Sequence, residues 1–599
     1  MPPYAAKLLD AKAKLESGRP ELALAILQPL AAKHPSDTDI TSLLSLVLYR
    51  LRRYAQAEFY ASRAAAVRPG DANLLANHAL MLDAIGKRDK ATALLERSIT
   101  LDPTHPEARL ALANRAMDDW RTSEALAHAE AGLSRGFHGE LAIGYCGALL
   151  AMGEMEKAVE KTRETIVRLP NYPNLWGSLA AGLNYVYGAD VGEIAAAHRR
   201  FGELLNKYRP AANFTYKGTR DPGRRLRVGF VSQDLRTHSV SFFIEPFLEL
   251  HDRDAFEVHA FSTSRHPDAV SERLMKHVAK WHDCADQIDI ETARLIEREG
   301  IDILVDLAGH TGFSAMTIFA YRPAPVQITY CGYPNTTGLT TMDYRIVDSL
   351  TDPPRESRAG EALHPDHPDF DERCTERLYR LDPCFLCYQP PRDAPEPARE
   401  PSEGGAVVFG SFNANKKIGR GVIGLWSRIL RAIPGSRLAM KTFELKDPAA
   451  RARILREFGS FGISNERIDF LETTKGIAEH LAKYARVDIA LDTLPYNGTT
   501  TTCEALWMGV PVVTVAGATH AARVGVSLLT AIGTPELIAA SEDEYVQLAT
   551  DLAASRQRLD AYRTTLRGRV AASPLCDRAA FCARFGAALR EMWRRHCAG

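Results

Sequence analysis

The residues best placed for chemistry lie in VDIALDTLPYNGTTTTCEALWMGVPVVTVAG, positions 487–517. An apolar run ends at Asp492, a Pro495-Tyr496-Asn497-Gly498 turn follows, and Thr499, Thr500, Thr501 and Thr502 open what reads as a helix. A helix start presents free N–H groups and a partial positive charge, which suits a phosphate. Hydroxyls beside it add donors without adding charge. The Thr501-x-x-Glu504 spacing fits a capping box, with Thr501 as N-cap and Glu504 at the third helical position. Capping alone takes one threonine and one glutamate. Four consecutive threonines after Asn-Gly exceed that need, so diphosphate binding is the expectation.

A second segment, GSFNANKKIGRGV (410–422), follows a strand-like run. It puts Asn413, Lys416 and Lys417 at a strand's carboxyl end, where a lysine could neutralise a leaving diphosphate. A lysine pair in a loop is otherwise just solvated. Elsewhere, VGFVSQDLRTHSVSFFIEP (228–246) places His238 after a strand, and LAGHT ends another strand at His310. The run RPAPVQITYCGYPNTTG (322–338) follows, bringing Tyr333 and Asn335 as candidates for the acceptor side of a cleft. A lone histidine is more often structural. Two that end strands of one lobe and face a phosphate site in another are active-site candidates. The chain has no G-x-x-x-x-G-K-[ST], G-x-G-x-x-G, G-x-S-x-G or H-E-x-x-H. That argues against a P-loop nucleotidase, a dinucleotide dehydrogenase, a serine hydrolase and a zinc protease. No Asp-x-Asp ends a strand as a diphosphate-bound metal would want, and Asp252-Arg253-Asp254 sits in a polar turn. Neither a metal nor a cofactor is expected.

These residues need a scaffold. Pro35, Pro69 and Pro103 are spaced by 34, Phe137 falls in the next slot, and Pro170 closes one residue short of the one after. Twelve residues before each mark stands Ala23, Ala57, Ala91, Ala125 or Ala158. A period of 34 with a small residue in a second helix and proline after it is the tetratricopeptide signature. Such hairpins stack into a superhelix whose concave groove takes polypeptide. From Leu226 the texture changes to short β-branched runs alternating with helical stretches, which predicts parallel, doubly wound sheets. CYQPPRDAPEPAREPSEGG (387–405) carries five prolines without periodicity and reads as a linker. The predicted organisation is a repeat superhelix over 1–212, a first α/β lobe over 223–388, a linker over 389–404 and a second lobe over 405–599. Ligands of such sheets bind at strand carboxyl ends.

Composition narrows the class. At 599 residues the chain exceeds one core, and its 74 basic and 74 acidic residues give no net attraction for nucleic acid or membrane. No apolar run reaches the eighteen residues of a membrane span, and the start MPPYAAKLLDAKAKLESG lacks an export signal. Ten cysteines are scattered, with a single C-x-x-C at Cys384 and Cys387 and no second pair, so neither zinc nor thioredoxin chemistry is read from it. A reduced, cytoplasmic setting is expected.

Taken together, RLRVGFVSQDLRTHSVSFF, RPAPVQITYCGYPNTTGLTTMDYRIVDSLTDPP, DPCFLCY, FGSFNANKKI and LDTLPYNGTTTTCEALWMGVP resemble the SPINDLY and O-linked N-acetylglucosamine transferase family. The resemblance covers nearly the whole chain. Its Asn-Thr-Thr-Gly, Cys-Phe-Leu-Cys-Tyr and Thr-Thr-Thr-Thr-Cys-Glu words look closer to the SPINDLY branch. The resemblance implies a GT-B fold and an inverting, metal-independent sugar transfer to Ser or Thr of proteins. It implies that Lys417 holds the donor diphosphate and that His238 stands in the catalytic cleft. It also implies that His480 packs near the donor base, that Thr500, Thr501 and Thr502 contact phosphate, and that Glu504 faces the ribose. Thr499 replaces a histidine of the animal enzymes and Ala414 a polar residue, which leaves two donors open, UDP-N-acetylglucosamine and GDP-fucose.

Two rival readings are a non-catalytic repeat scaffold with decayed lobes and a transferase acting on a small molecule or glycan. Retention of Lys417, His238, His480 and the threonine run favours activity, and the number of repeats favours a protein acceptor. Flagellin or another exported surface protein is the kind of acceptor expected, and pairing of two copies through the repeats is an open expectation.

Overall fold

The prolines of the 34-residue period end helices. The computed structural model describes residues 3–16, 19–209, 211–216, 218–312, 315–355, 369–402 and 405–599. Within it, Pro35, Pro69 and Pro103 lie just past the helices Pro20–Lys33, Tyr54–Val67 and Arg88–Leu101. Two residues after each proline the next helix is capped. Asp37 accepts the N–H groups of Asp39 and Ile40 at 3.0 Å, Asp71 those of Asn73 and Leu74 at 3.1 and 3.3 Å, and His105 Nδ1 that of Ala108 at 3.3 Å. One period thus carries a stop and a start. Each period alanine is 0 or 1 % exposed, so a larger side chain would push the paired helices apart.

A second periodicity sits in the hairpin turns. Arg52, Gly86, Trp120 and Gly153 recur at nearly the repeat spacing, with φ of +57°, +74°, +61° and +87°. This left-handed residue reverses the chain between helices and favours glycine. Gly86→Ala is expected to destabilise the repeats by about 1–2 kcal/mol, the cost of a Cβ in that conformation. Gly70→Ala, where nothing lies within 4 Å and no left-handed φ is needed, should be close to neutral. Urea unfolding of the two variants checks this.

The chain forms two compact units, Met1–Leu149 and Leu150–Gly599. The break falls inside the helix Gly139–Met152, not at 212, where the predicted repeat superhelix ends. The helices Met155–Arg168, Pro173–Leu183 and Val191–Tyr208 therefore belong with the sheets. Two glycines explain the attachment. A Cβ on Gly202 would stand 1.9 Å from the Gly338 carbonyl oxygen, and one on Gly338 (φ +77°) would stand 1.9 Å from that of His198. Helix backbone lies directly on loop backbone there.

The second unit holds two sheets. The first joins β1 (Leu226–Ser232), β2 (Phe256–Ser262), β3 (Lys280–Asp283), β4 (Ile303–Asp306), β5 (Val326–Thr329), β6 (Tyr344–Val347) and β7 (Arg377–Arg380) in the order β3-β2-β1-β4-β5-β6-β7. The second joins β8 (Val408–Ser411), β9 (Arg437–Met440), β10 (Ile468–Phe470), β11 (Ile489–Leu491), β12 (Val512–Val515) and β13 (Ile538–Ala539) in the order β10-β9-β8-β11-β12-β13. All pairings are parallel. Central strands such as β4 and β12 are buried at every residue, which is why they read as continuous apolar runs. Strand order reverses between β1 and β4 and again between β8 and β11. Each reversal opens a crevice at the carboxyl ends.

The linker 389–404 contains neither helix nor strand among its described residues, and 403–404 lie outside them. The last helix, Arg578–Ala598, departs from the predicted 405–599 lobe and packs on the first one. Phe585 stacks near Phe247 and Tyr330 with ring centroids 4.8 and 5.1 Å apart, and Trp593 Nε1 donates to the Asp221 carbonyl at 3.0 Å.

Candidate functional site

The crevice between β8 and β11 gathers most of the expected residues. Asp492, directly after β11, is buried and anchors the turn that follows. Its Oδ1 accepts the N–H groups of Gly498 at 2.6 Å and Thr493 at 2.8 Å, and its Oδ2 accepts the Thr514 hydroxyl at 2.7 Å. Asn497 is fully buried as a clamp. Its side chain donates to the Thr493 carbonyl at 3.0 Å and accepts the Gly525 N–H at 3.2 Å. Gly498 is required by close approach. A Cβ there would lie 2.6 Å from Thr501 Oγ1, 2.7 Å from Thr502 Oγ1 and 3.1 Å from Asn413 Oδ1.

The helix Thr500–Trp507 starts from this turn. The predicted capping box does not form. Thr499 is the N-cap, without a side-chain cap bond. The Thr501 hydroxyl instead donates to Asn413 Oδ1 at 3.0 Å, tying the end of β8 to the helix start. The first-turn N–H groups, lacking intrahelical acceptors, stay available to an anion. Thr500 and Thr501 are part-exposed beside them, and Thr502 is buried.

Lys417 approaches from the loop after β8. Its Nζ donates to the Asn497 carbonyl at 2.7 Å and sits 4.1 Å from the Tyr496 ring centroid. Burial pushes this ammonium below its ordinary range; the Asp492 carboxylate opposes the shift and Lys416 adds to it. Tyr496 in turn stacks on Tyr185 with centroids 4.9 Å apart and planes 3° from parallel, and Lys416 Nζ stands over the Tyr185 ring at 5.0 Å. Tyr185 follows the helix Pro173–Leu183, so the attached helical segment helps set both lysines.

A second cluster lies beside the crevice. Glu504 Oε2 accepts from His480 Nε2 at 3.0 Å and from the Tyr484 hydroxyl at 3.4 Å. His480 Nδ1 takes the Lys441 ammonium, which fixes the proton of the neutral ring on Nε2. Burial lowers Lys441 to about 8, with Glu504 opposing. The Phe412 ring stands 4.4 Å from that of Tyr484 and 5.9 Å from that of His480. Glu504 thus braces His480 and Tyr484 through Oε2. An aromatic wall beside a fixed N–H and a lysine suits a flat heterocycle. Lys441, Phe412 and Tyr484 escaped the sequence reading. Lys441 alone carried a signal, as a lysine closing the strand LAM.

In the first lobe, His238 and His310 both follow strands flanking the β1–β4 reversal. His238 caps the helix Ser239–Leu250, its Nδ1 accepting the Val240 N–H at 3.3 Å. Asp234 Oδ2 stands 3.7 Å from the same nitrogen, too far for a hydrogen bond. The neutral ring therefore carries its proton on Nε2 and offers a donor. Burial lowers its pKa, Asp234 opposes the shift, and Lys416 of the other lobe adds to it.

His310, Tyr333 and Asn335 go elsewhere. His310 Nε2 donates to the Thr337 carbonyl at 2.8 Å, and its ring packs against Phe201 and His198. Burial pushes it down to about 4, so it is neutral. The Tyr333 hydroxyl bonds Asn184 at 2.8 Å and His198 at 2.9 Å, and Asn335 donates to Asn184 at 2.9 Å. These three fasten the helical segment to the first lobe, and Tyr333 also lines a small cavity with Tyr496 and Thr499 of the second lobe.

Comparison with known proteins gives the family and the fold. The model of glycosyl transferase family 41 matches residues 193–361 and 399–585. The chain belongs to that family. Among relatives of this family-41 chain, the Arabidopsis thaliana protein named probable UDP-N-acetylglucosamine–peptide N-acetylglucosaminyltransferase SPINDLY is 40% identical over 435 residues, covering 72% of this chain and 46% of that protein. The rice SPINDLY protein is also 40% identical, covering 72% and 45%. The chain thus spans about half the length of the curated relatives it matches. A solved structure of a Thermobaculum terrenum O-GlcNAc transferase mutant superimposes with a TM-score of 0.72 at 32% identity, covering 97% of this chain and 99% of that one. Helical repeats followed by two GT-B lobes are therefore the fold. Among the described residues no helix is long and apolar enough to cross a membrane.

Proposed function

We propose that this chain is an inverting protein O-glycosyltransferase, moving a sugar from a nucleotide diphosphate to a Ser or Thr hydroxyl. The observation that carries this reading is the hydrogen bond of Lys417 Nζ to the Asn497 carbonyl, in the turn that leads into the helix Thr500–Trp507 at the strand-order reversal of the second sheet. The donor diphosphate would lie across Lys417, Gly498 and the threonine run, with its base against Phe412, Tyr484 and His480. In the transfer, the acceptor oxygen bonds to the anomeric carbon as the carbon–phosphate oxygen bond breaks. The diphosphate leaves with that electron pair, and Lys417 and the helix start stabilise its charge as fixed electrostatics. His238, protonated on Nε2, acts as a hydrogen-bond donor in the cleft; a base role needs the other tautomer. The acceptor proton leaves by water or by a donor phosphate oxygen.

The relatives' names favour UDP-N-acetylglucosamine as donor, with GDP-fucose as the competitor. Residues 1–149 are proposed to select the acceptor polypeptide. A flagellin acceptor, a cytoplasmic location and pairing through the repeats rest on the sequence expectations alone. A thermal-shift screen with both nucleotide sugars tests the reading. A donor at 100 times its dissociation constant should stabilise the chain by about 2.7 kcal/mol. No shift with either donor, under conditions where the chain is folded, would contradict it.

The positive charge in this site is supplied by Lys417, so transfer is proposed to need no divalent ion and to persist in EDTA. The same lysine sets a pH dependence. Its folded pKa is depressed to about 7, below the ordinary lysine value of about 10.4. Lys417 therefore favours unfolding at lower pH, and its effect on stability improves as pH rises between those values. Diphosphate binding favours the protonated form, so affinity for UDP or GDP should be highest below about pH 7 and fall above it. Calorimetry across pH 6–9 in two buffers should also show proton uptake on binding above pH 7. Lys417→Ala should remove both effects.

A further inference from the structure

Two histidines on one face of the first sheet leave a ring nitrogen without a partner, and a glutamate of the neighbouring helix lies beside them. His259 lies mid-strand in β2 and is fully buried. His282 lies in β3 beside it, and Glu299 ends the helix Asp289–Glu299 that packs over this edge. The His259 Nε2–H donates to Glu257 Oε1 at 3.0 Å, which leaves the lone pair on Nδ1. That Nδ1 is buried, makes no hydrogen bond and stands 3.8 Å from Glu299 Oε2. His282 Nε2 is likewise buried and without a partner. A ligand atom from each of the three residues lies within 4.8 Å of the others. Phe261 stacks on the His282 ring at 4.6 Å and 11°, holding its orientation.

We propose that His259, His282 and Glu299 form a structural site for one divalent transition ion, of which zinc fits best. Two imidazole nitrogens and one carboxylate oxygen are zinc ligands, and zinc bonds of about 2.0–2.2 Å put tetrahedral ligands about 3.3–3.6 Å apart. The His259–Glu299 pair stands at 3.8 Å and all three ligand atoms lie within 4.8 Å, so binding draws them in by up to about 1.5 Å. A carboxylate fixing the tautomer of a ligating histidine is the usual outer partner, and Glu257 takes that place. Lys280 Nζ donates to the same Glu299 Oε2 at 2.6 Å, so the ion displaces that ammonium or takes the carboxylate by its other oxygen. Burial keeps both imidazoles below their ordinary pKa, so they are neutral and able to ligate. The fourth position is left to water. The site sits within the strands, not at their carboxyl ends where His238 stands. It therefore pins the short edge strand β3 to β2 and to the helix without entering the transfer chemistry. Magnesium and calcium, which prefer oxygen ligands, should not replace zinc.

The test uses the full chain, stripped with chelator and returned to zinc chloride. One zinc per chain should survive gel filtration, with a higher melting temperature, and magnesium should do neither. His282→Gln and Glu299→Gln should each lose that zinc and its thermal shift while keeping the zinc-free melting temperature and sugar transfer. If the variants fold poorly, cobalt loaded into the unaltered chain decides. Weak visible bands of nitrogen and oxygen ligation support the site, and an intense thiolate charge-transfer band assigns the metal to cysteines and overturns it. No retained zinc in the unaltered chain, or undiminished zinc in both variants, also overturns it.

Discussion

Lys417→Ala should lower sugar transfer by about 100- to 1000-fold while leaving the melting temperature of the ligand-free chain unchanged or higher. The rate loss is that of one fixed charge aimed at developing negative charge in a dry site. The thermal expectation follows from the same burial. The Lys417 ammonium makes one hydrogen bond, to the Asn497 carbonyl, and is held below its ordinary pKa by desolvation. Removing it relieves that cost, and Asn497 keeps its turn through its own side chain. Lys417→Arg should recover little, because the planar guanidinium is longer and the Tyr496 ring closes the space beside Nζ. Transfer within tenfold of the unaltered chain by Lys417→Ala would remove this lysine from the diphosphate site.

Two shortened chains should behave in opposite ways. A chain beginning at residue 150 should fold, bind nucleotide sugar and hydrolyse it at the rate of the full chain, yet modify protein acceptors at least tenfold more slowly. Residues 1–149 form their own compact unit, and acceptor binding there raises the effective concentration of hydroxyl in the cleft. A chain beginning at residue 223, the start of the predicted first lobe, should lose donor binding as well. It lacks Tyr185, which stacks on Tyr496, and Asn184, His198 and Gly202, which cover Tyr333, His310 and Gly338. Donor affinity and circular-dichroism melting of the two chains separate these effects. Equal donor affinity in both would show that the helices 155–208 do not support the site.

Much of this architecture was readable in order along the chain. The 34-residue period and the buried strand runs are local patterns, so repeats and sheets followed from them. The threonine run and Lys417 each follow a strand, and the parallel fold places strand ends together. What stayed hidden depends on distance. Phe412, Lys441, the helical turn of His480 and Tyr484, and Glu504 come from four places in the second lobe, and only the folded sheet shows that they meet. Tyr185 sits in an ordinary helix end whose partner is 311 positions away. The capping box failed because Asn413, 88 positions away, captures the Thr501 hydroxyl. The unit boundary near 149 has only a faint sequence mark: Phe137 replaces the period proline before it and Pro170 closes one residue short after it, while the helical pattern continues across. The return of Arg578–Ala598 to the first lobe is likewise a tertiary choice that an amphipathic pattern cannot report.

The central claim is that this chain attaches a sugar to the hydroxyl of a polypeptide. Intact-mass spectrometry of a Ser/Thr peptide library, incubated with the full chain and UDP-N-acetylglucosamine or GDP-fucose in EDTA, measures that directly. The account predicts a gain of one sugar residue on a subset of peptides, absent with Lys417→Ala and absent from peptides in which Ser and Thr are replaced by Ala. Folded chain that shows donor-induced stabilisation yet adds no sugar to any peptide, or adds it equally with Lys417→Ala, would contradict it.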